Sequence, residues 1–280
     1  MNIAFVSLFI FIAAYLLNIL YITVFYHRGI THNAVRLKPA TLKFVALTGS
    51  WITGLDPKAW ACMHRTHHEY SDQVEDPHSP WNSNIFGVAV SQLKSYKKIL
   101  AGLHQNQEPY VSIVKDLDFE MSYRNHNSMS WLPYALHMII AVSLGFAFHS
   151  PFPALGYWFG MTSHPIQGWM VNALAHSYGY QNFDNNDKSV NNTLVAWLVF
   201  GEGFQNNHHK FPASAKFSKK WFEVDLGYGL CKTVEFFGWI EPITSQPSVT
   251  SQPFTSQPSP VSADYLPESP VLHEEPSSLL

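Results

Sequence analysis

WLPYALHMIIAVSLGFAFHSPFPALGYWFGMTSHPIQGWMVN, residues 131–172, is the centre of a run from Asn125 to Phe183 in which 59 consecutive residues include no Asp, Glu, Lys or Arg. Its middle, His149-Ser-Pro-Phe-Pro153, is turn chemistry. On either side, Trp131 to Phe148 and Ala154 to about Asn172 are each long enough to approach the roughly 20 apolar residues that a membrane-crossing helix needs. A water-soluble core rarely goes so far without a charge, so the stretch predicts a transmembrane hairpin.

The rest of the chain agrees. Charged residues make up 13%, about half the ~25% usual in soluble domains. Residues 1–26 carry no charge, and Ile3 to Phe25 is an almost unbroken apolar segment. At 1.5 Å per residue it spans about 35 Å, more than a hydrocarbon core of about 30 Å. It lacks the basic n-region, short apolar run and small-residue site of a cleaved signal, so it reads as an anchor. A shorter apolar block, Leu42 to Leu55, is broken by Gly49, Gly54 and Asp56-Pro57 and reads as an interfacial or re-entrant helix.

Lysine and arginine set the orientation. Arg28, Arg36, Lys38 and Lys43 follow the first span. Lys94, Lys97, Lys98, Lys115 and Arg124 precede the hairpin, and Lys210, Lys216, Lys219 and Lys220 follow it. By the positive-inside rule these segments are cytoplasmic, and three spans put the N-terminus outside. Residues 1–240 therefore read as one all-α membrane bundle of about three spans plus an interfacial helix, with a cytoplasmic helical cap. From Glu241 the composition changes: eight of 18 prolines lie in 241–280 and Thr-Ser-Gln-Pro recurs at Thr244, Thr250 and Thr255. This segment reads as a disordered tail without catalytic role. A net charge of −3 gives no sign of nucleic-acid binding. Cys62 and Cys231 have neither the number nor the spacing of a disulfide framework.

The chemistry is carried by histidine. His27-Arg-Gly-Ile-Thr-His32 follows the first span, His64-Arg-Thr-His67-His68 lies in the next cytoplasmic segment, and Gln205-Asn-Asn-His208-His209 follows the hairpin. All three clusters fall on the side that lysine and arginine independently mark as cytoplasmic. Residues i, i+3 and i+4 share a helical face, so His64, His67 and His68 can aim at one point or at two adjacent ones. Neutral imidazole suits iron, copper, nickel and zinc, whereas magnesium and calcium call for carboxylates. Seven histidines exceed what one four-coordinate ion needs, and the count favours two metals. Glu69, Asp72, Asp76, Glu202 and His78 are candidates to brace those ligands from behind. Arg28 and Arg65 sit beside them, either to meet a phosphate-bearing head group or to anchor the chain at the interface. His104, His126, His137, His149 and His273 stand alone and read as core or surface residues.

Taken together these stretches resemble the membrane fatty acid desaturases, in particular the stearoyl-CoA (Δ9 acyl-CoA) desaturase branch. The resemblance covers roughly residues 20–240. It rests on Phe25-Tyr-His-Arg-Gly-Ile-Thr-His32, Trp60 to Asp72 with Asp76-Pro-His78, Trp169-Met-Val-Asn-Ala-Leu-Ala-His176, Gly201 to Pro212, and Trp221 to Gly227. It implies two iron ions held almost wholly by histidine. It adds His176 as a ligand, with Asn172 near the second metal through water. It also implies insertion of a cis double bond into a long-chain acyl-CoA or acyl-lipid, with O2 as oxidant and membrane lipid as surroundings.

Two departures stand out. The third box begins with Gln205 where the family usually has histidine, which leaves that position to a weak amide ligand or to water. Only one apolar helix precedes His27 where the family usually has a hairpin, so either a three-span form or a truncated start is expected. No haem or nucleotide motif is present, so electrons are expected from a separate donor: cytochrome b5, a ferredoxin or a flavin reductase. Lys216, Lys219 and Lys220 either help to dock that donor or simply follow the positive-inside bias. A histidine-box hydroxylase or related lipid oxygenase would share the ligand pattern. A metal transporter would instead need polar ligands near mid-membrane, where these clusters do not fall.

Overall fold

Ile3–Thr31 is a single helix whose winding changes partway along. The computed structural model describes residues 2–122 and 130–243. Helix α1, Ile3–Ile19, starts at Asn2, whose side-chain oxygen accepts from the Ala4 N–H at 2.9 Å. It continues as a π-helix, Leu20–Thr31. The whole of Ile3–Thr31 is long and apolar enough to cross a membrane. Then come α2 (Pro39–Thr53), α3 (Pro57–Glu69), the short α4 (Pro80–Ser83), α5 (Gly87–His104) and α6 (Tyr110–Ile113). They are followed by α7 (Leu132–Ala147), α8 (Pro151–Met161), α9 (His164–Trp169) with a π-turn at Met170–Leu174, α10 (Thr193–Leu198), α11 (Gln205–Lys210) and α12 (Leu226–Phe236). Among the described residues there is no strand beyond isolated bridges such as Leu37 to Ile240. The fold is therefore all-helical.

Residues 132–169 form a helical hairpin, but not one of two uninterrupted helices. Its turn is at His149 and Ser150, with His149 at φ 49° and the Ser150 hydroxyl side chain capping α8. The second arm stops at Met161 and restarts at His164. Pro165 has no N–H to donate and would crowd the carbonyl one turn back, so the helix cannot run through. The Thr162 and Ser163 hydroxyls instead donate to the carbonyls of Trp158 and Gly160, at 2.8 and 2.7 Å. Helix α7 has 16 residues and α8 has 11. Helix α2 occupies the segment expected to be interfacial and ends at Gly54 in a left-handed conformation, φ 76°.

Helices α1 and α8 touch through small residues. A side-chain carbon added at Gly156 would stand 2.7 Å from the Ser7 carbonyl oxygen, and one at Gly160 would stand 2.7 Å from Ala14 Cβ. The Gly-x-x-x-Gly spacing thus lets the two backbones approach as membrane helices do. Asn18, fully buried, closes the contact with a 2.8 Å hydrogen bond to the Met161 carbonyl. Gly160→Leu should force these helices apart at a cost of about 1–3 kcal/mol. The measurement is the melting temperature of the detergent-purified protein, and an unchanged value would mean that the contact is dispensable.

The main core gathers around the π-wound half of the first helix. Tyr21, Val24, Phe25 and Tyr26 pack with Val45 of α2, Ala61 of α3, and Cys231 and Val234 of α12. Both cysteines are buried and unpaired. Away from this core, Phe5, Phe9, Ile139, Phe146 and Phe159 on α1, α7 and α8 are all more than half exposed. Residues 244–280, the greater part of the expected tail, lie outside the described residues, as do His126 and His273.

Candidate metal centre

The end of the first helix carries His27 and His32. In an α-helix residues five apart diverge by about 140°, but π winding brings them back toward one face. The His32 amide donates to the His27 carbonyl at 3.2 Å, the five-residue hydrogen bond of that winding. The two rings lie 5.1 Å apart. Helix α3 is started by Asp56, which accepts from the Lys58 and Ala59 amides. Around its axis His64 and His68 are about 40° apart, while His67 lies off to the other side of His64. Helix α11 presents His208 and His209, and His176 lies in the turn after the π-turn at Met170–Leu174.

These eight rings form two adjoining groups. Ring nitrogens of His27, His32, His64, His68 and His208 lie within 4.8 Å of one another, as do those of His67, His176 and His209. The groups abut where the His68 and His209 rings stand 4.4 Å apart. Helix α3 therefore serves two adjacent points, and neighbouring residues of α11 serve different ones.

The first group fits a cation and fits poorly without one. Nε2 of His27 is 2.9 Å from Nε2 of His208, which is 2.9 Å from Nε2 of His68, which is 3.0 Å from Nε2 of His64. Each Nε2 offers either one hydrogen or one lone pair, so a row of four cannot satisfy all three contacts with separate hydrogen bonds. Two ligands at right angles on one ion, with imidazole bonds of about 2.1 Å, stand about 3.0 Å apart. Nε2 of His32 has no hydrogen-bond partner among the described residues. Burial, reinforced by neighbouring histidines, holds His32, His64, His68 and His208 well below the ordinary imidazole range, which keeps them in the neutral form that binds metal.

The second group is organised by carboxylates. Nδ1 of His67 faces Asp76 at 2.9 Å, Nδ1 of His176 faces Asp72 at 3.0 Å, and Nδ1 of His209 faces Asp187 at 2.6 Å. Each Nδ1 donates to its carboxylate, leaving the Nε2 lone pair to the centre, and all three Nε2 atoms are buried without partners among the described residues. In the first group Glu202 does the same for Nδ1 of His27 at 2.6 Å. Burial works against the charged form of all four carboxylates, yet the facing histidines hold them below their usual range. Burial likewise disfavours a charged His67, but Asp76 carries it above its ordinary value, while His209 falls to about 4.

Of the bracing residues expected from sequence, Asp72, Asp76 and Glu202 stand behind histidines. Glu69 does not. It follows His68 by one residue, about 100° further around α3, and hydrogen-bonds to no histidine among the described residues. His78 is buried against His67, with rings 4.5 Å apart and 29° from parallel, and neither of its nitrogens has a hydrogen-bond partner among the described residues. Asn172 donates to Gln92 at 3.3 Å, and Gln205 is buried with its amide donating to the Glu202 carbonyl at 2.7 Å.

The two arginines play a different part from either one expected. Arg28 is fully buried, 2.6 Å from Glu202 and 3.1 Å from Asp225, with its guanidinium 3.7 Å above the Phe217 ring. Arg65 pairs with Asp116 at 2.5 Å and donates to the Thr31 carbonyl at 3.0 Å. Neither is free for a head group.

Sequence reasoning also missed Asp187, which belongs to no spacing pattern, and the scaffold of α11. Asn206 accepts from the amides of Asn182 and Phe183, and Asn207 donates to Glu223 and the Phe217 carbonyl. The two asparagines of Gln205-Asn-Asn-His-His are thus what holds the helix in register. Asp187→Asn should weaken retention of one metal by about 10- to 100-fold through His209. Competition with a chelator measures this, and unchanged retention would show that His209 needs no carboxylate.

A cavity of about 580 Å³ adjoins the first group. His27 and His64 line it, with Gln205, Glu202 and Asn172, and its walls are mostly carbon, among them Ile22, Leu55, Trp60, Met63 and Val171. The volume is within the range of small-molecule sites, about 300–1,000 Å³.

Comparison with known proteins agrees with this geometry. The profile of the family described as Fatty acid desaturase matches residues 2–223. "Acyl-CoA 5-desaturase AL21" of Anemone leveillei is 33% identical over 224 residues, 77% of this chain and 64% of that one. "Hex-5-enoyl-[acyl-carrier protein] acetylenase" of Moorena producens (strain JHB) is 30% identical over 84% of this chain and 76% of its own length. An "sn-1 stearoyl-lipid 9-desaturase" of Anabaena variabilis is 30% identical over 78% of this chain and 76% of its own. The chain thus spans just under two thirds of the Anemone protein.

Proposed function

The chain belongs to the fatty acid desaturase family, and on that premise we propose that it is an O2-dependent oxidoreductase that introduces a cis double bond into a long-chain acyl-CoA or acyl-lipid. The box resemblance favours the Δ9 position. The observation that carries the reading is the pair of buried histidine groups beside a mostly apolar cavity.

His27, His32, His64, His68 and His208 would hold one iron, and His67, His176 and His209 the other, with Gln205 and Asn172 bordering the site. Bound there, iron supplies the activation of O2 that removes two hydrogens from an unactivated methylene pair. The reaction is balanced by two hydrogens with their electrons from the chain, two electrons from an external donor and two protons from solvent, giving two waters. The protein's own residues do the rest. Asp72, Asp76, Asp187 and Glu202 fix the tautomer and direction of the rings behind which they stand. Trp60, stacked on His64 at 5.0 Å and 11°, restricts that ring and walls the cavity. The apolar lining excludes water from the reacting chain.

Residues 1–240 form the membrane-bound catalytic unit, with the histidine groups at the cytoplasmic face and the segment from 241 onward without catalytic role. The outward-facing Phe and Ile residues of α1, α7 and α8 support lipid contact, because such a surface is unfavourable in water. Lipid residence also suits a substrate that itself partitions into the bilayer.

Fatty-acid profiling of a desaturase-deficient host expressing the chain tests the reading. New monounsaturated acids are the expected result, and hydroxylated acids would instead indicate an oxygenase. An unchanged profile from inserted, iron-loaded protein would overturn it.

A further inference from the structure

The cavity has a polar region that the histidine groups do not explain. On α9, His164 and Gln167 line it, both more than nine-tenths buried, and the His164 Nδ1 and Gln167 Oε1 atoms have no hydrogen-bond partner among the described residues. The other end of the Gln167 amide is fixed, its Nε2 donating to the Ser163 hydroxyl at 2.7 Å. Tyr134 of α7 shares the same wall, its ring 6.5 Å from that of His164, and its hydroxyl has no hydrogen bond among the described residues. Polar atoms buried without partners are costly, and a place where several collect in an otherwise apolar cavity calls for a polar occupant.

The chemistry of the region narrows what that occupant is. Among the described residues, the charged side chains on the cavity wall are Lys97, which is exposed, and Glu202, which is committed to Arg28 and His27. No buried cation is present among the described residues to receive a phosphate or a carboxylate at His164. What remains is a neutral oxygen that accepts from an imidazole N–H and a phenol O–H. Every long-chain acyl donor, whether thioester or ester, has one such oxygen at the head of its chain, the carbonyl. Position adds a second argument. Along the helix, His164 is about 12 Å from Asn172, which borders the metal end of the cavity. An extended acyl chain covers that distance in on the order of ten carbons.

Resting on the desaturase reading above, we propose that His164, Tyr134 and Gln167 form the acyl-carbonyl site, a fixed point from which the position of the double bond is counted. The His164 and Tyr134 groups donate to the carbonyl oxygen. A water donating to Gln167 Oε1 satisfies the remaining acceptor. His164 is then a substrate-binding residue that sets regiospecificity.

The test compares matched ligands with and without the carbonyl, on the purified metal-loaded protein in nanodiscs. The pairs are stearoyl-CoA against its S-octadecyl thioether, and a 1-stearoyl phospholipid against its 1-O-octadecyl ether. Wild type should bind the carbonyl member of its preferred pair about three- to tenfold more tightly. Which pair is preferred identifies the acyl carrier. Tyr134→Phe and His164→Leu should each reduce that preference, and the double variant should abolish it. Among products, the double-bond position should scatter in His164→Leu and be restored in His164→Gln, which keeps a donor. Tyr134→Phe removes a single oxygen and leaves the packing of its ring, so its result stands even if His164→Leu fails to fold. Equal binding of ether and carbonyl ligands by wild type, or an unchanged preference and bond position in the folded variants, would overturn the proposal and leave the region to ordered water. Absence of any alkene from wild type would count against the desaturase reading, while the binding comparison would still decide this site.

Discussion

His67→Ala should leave a folded protein that retains about one metal ion per chain in place of two and loses desaturation by at least a hundredfold. The reasoning lies in how the two histidine groups divide. The first has five members, and His67 is not among them. The second has three, and removing His67 leaves two imidazoles, too few to hold an ion against water. His67 is also the ring that Asp76 orients at 2.9 Å, and it is almost fully buried. The loss should therefore be selective, with one site emptied and the other kept. Metal analysis of purified protein separates this from general unfolding, which would release both ions. A variant that still held two would show that the second group is not a metal site.

Arg28→Leu should have the largest effect on stability. Arg28 is fully buried and joins four parts of the chain. It meets Glu202 in the segment before α11, Asp225 at the start of α12, the Ala215 carbonyl, and Thr23 on its own helix. Leucine would occupy much of the space but leave Glu202 and Asp225 as buried carboxylates without a cation. Breaking one side of such a network costs about 3–5 kcal/mol, on the order of 10 °C in melting temperature for a chain of this size. Lysine would not rescue it, because one ammonium group cannot reproduce the fork that reaches both carboxylates. The same substitution frees Glu202, the partner of His27 Nδ1, so loss of metal from the first group should accompany the loss of stability. Thermal denaturation at several metal concentrations measures both. A melting temperature within a degree or two of wild type would mean that the pairing is incidental.

Much of this was legible in the sequence because it depends on local spacing. The nearly continuous apolar stretch of 23 residues from Ile3 to Phe25 does lie in one long helix, and His64, His67 and His68 do share a helix that projects all three inward. The resemblance implies that His176 is a ligand and that Asn172 lies near the second metal through water. In the structure a π-turn intervenes, and Asn172 turns to Gln92 while His176 turns to Asp72.

The features that were not legible depend on distant contacts or on changes of winding. Nothing in His27-Arg-Gly-Ile-Thr-His32 reveals that the helix loosens there, yet that winding is what allows residues five apart to converge. Arg28 follows an apolar span, where arginine usually marks the water boundary. It is buried because two acids more than 170 positions away return to meet it. Glu69 failed for a simple geometric reason: adjacency to a ligand in sequence is a 100° separation on a helix. Asp187 sits in a polar loop with no pattern to distinguish it from its neighbours. The break before Pro165 was readable in principle, since proline disfavours the helix that precedes it, but the long apolar run concealed it.

The claim on which the account depends most is that two separate sets of histidines hold iron. X-ray absorption at the iron edge, combined with elemental analysis of the full-length protein purified without added metal, tests it directly. The expected result is about two irons per chain, each with a first shell made up mostly of imidazole nitrogen. A single metal per chain, a tightly held zinc in place of iron, or a shell dominated by oxygen would contradict it.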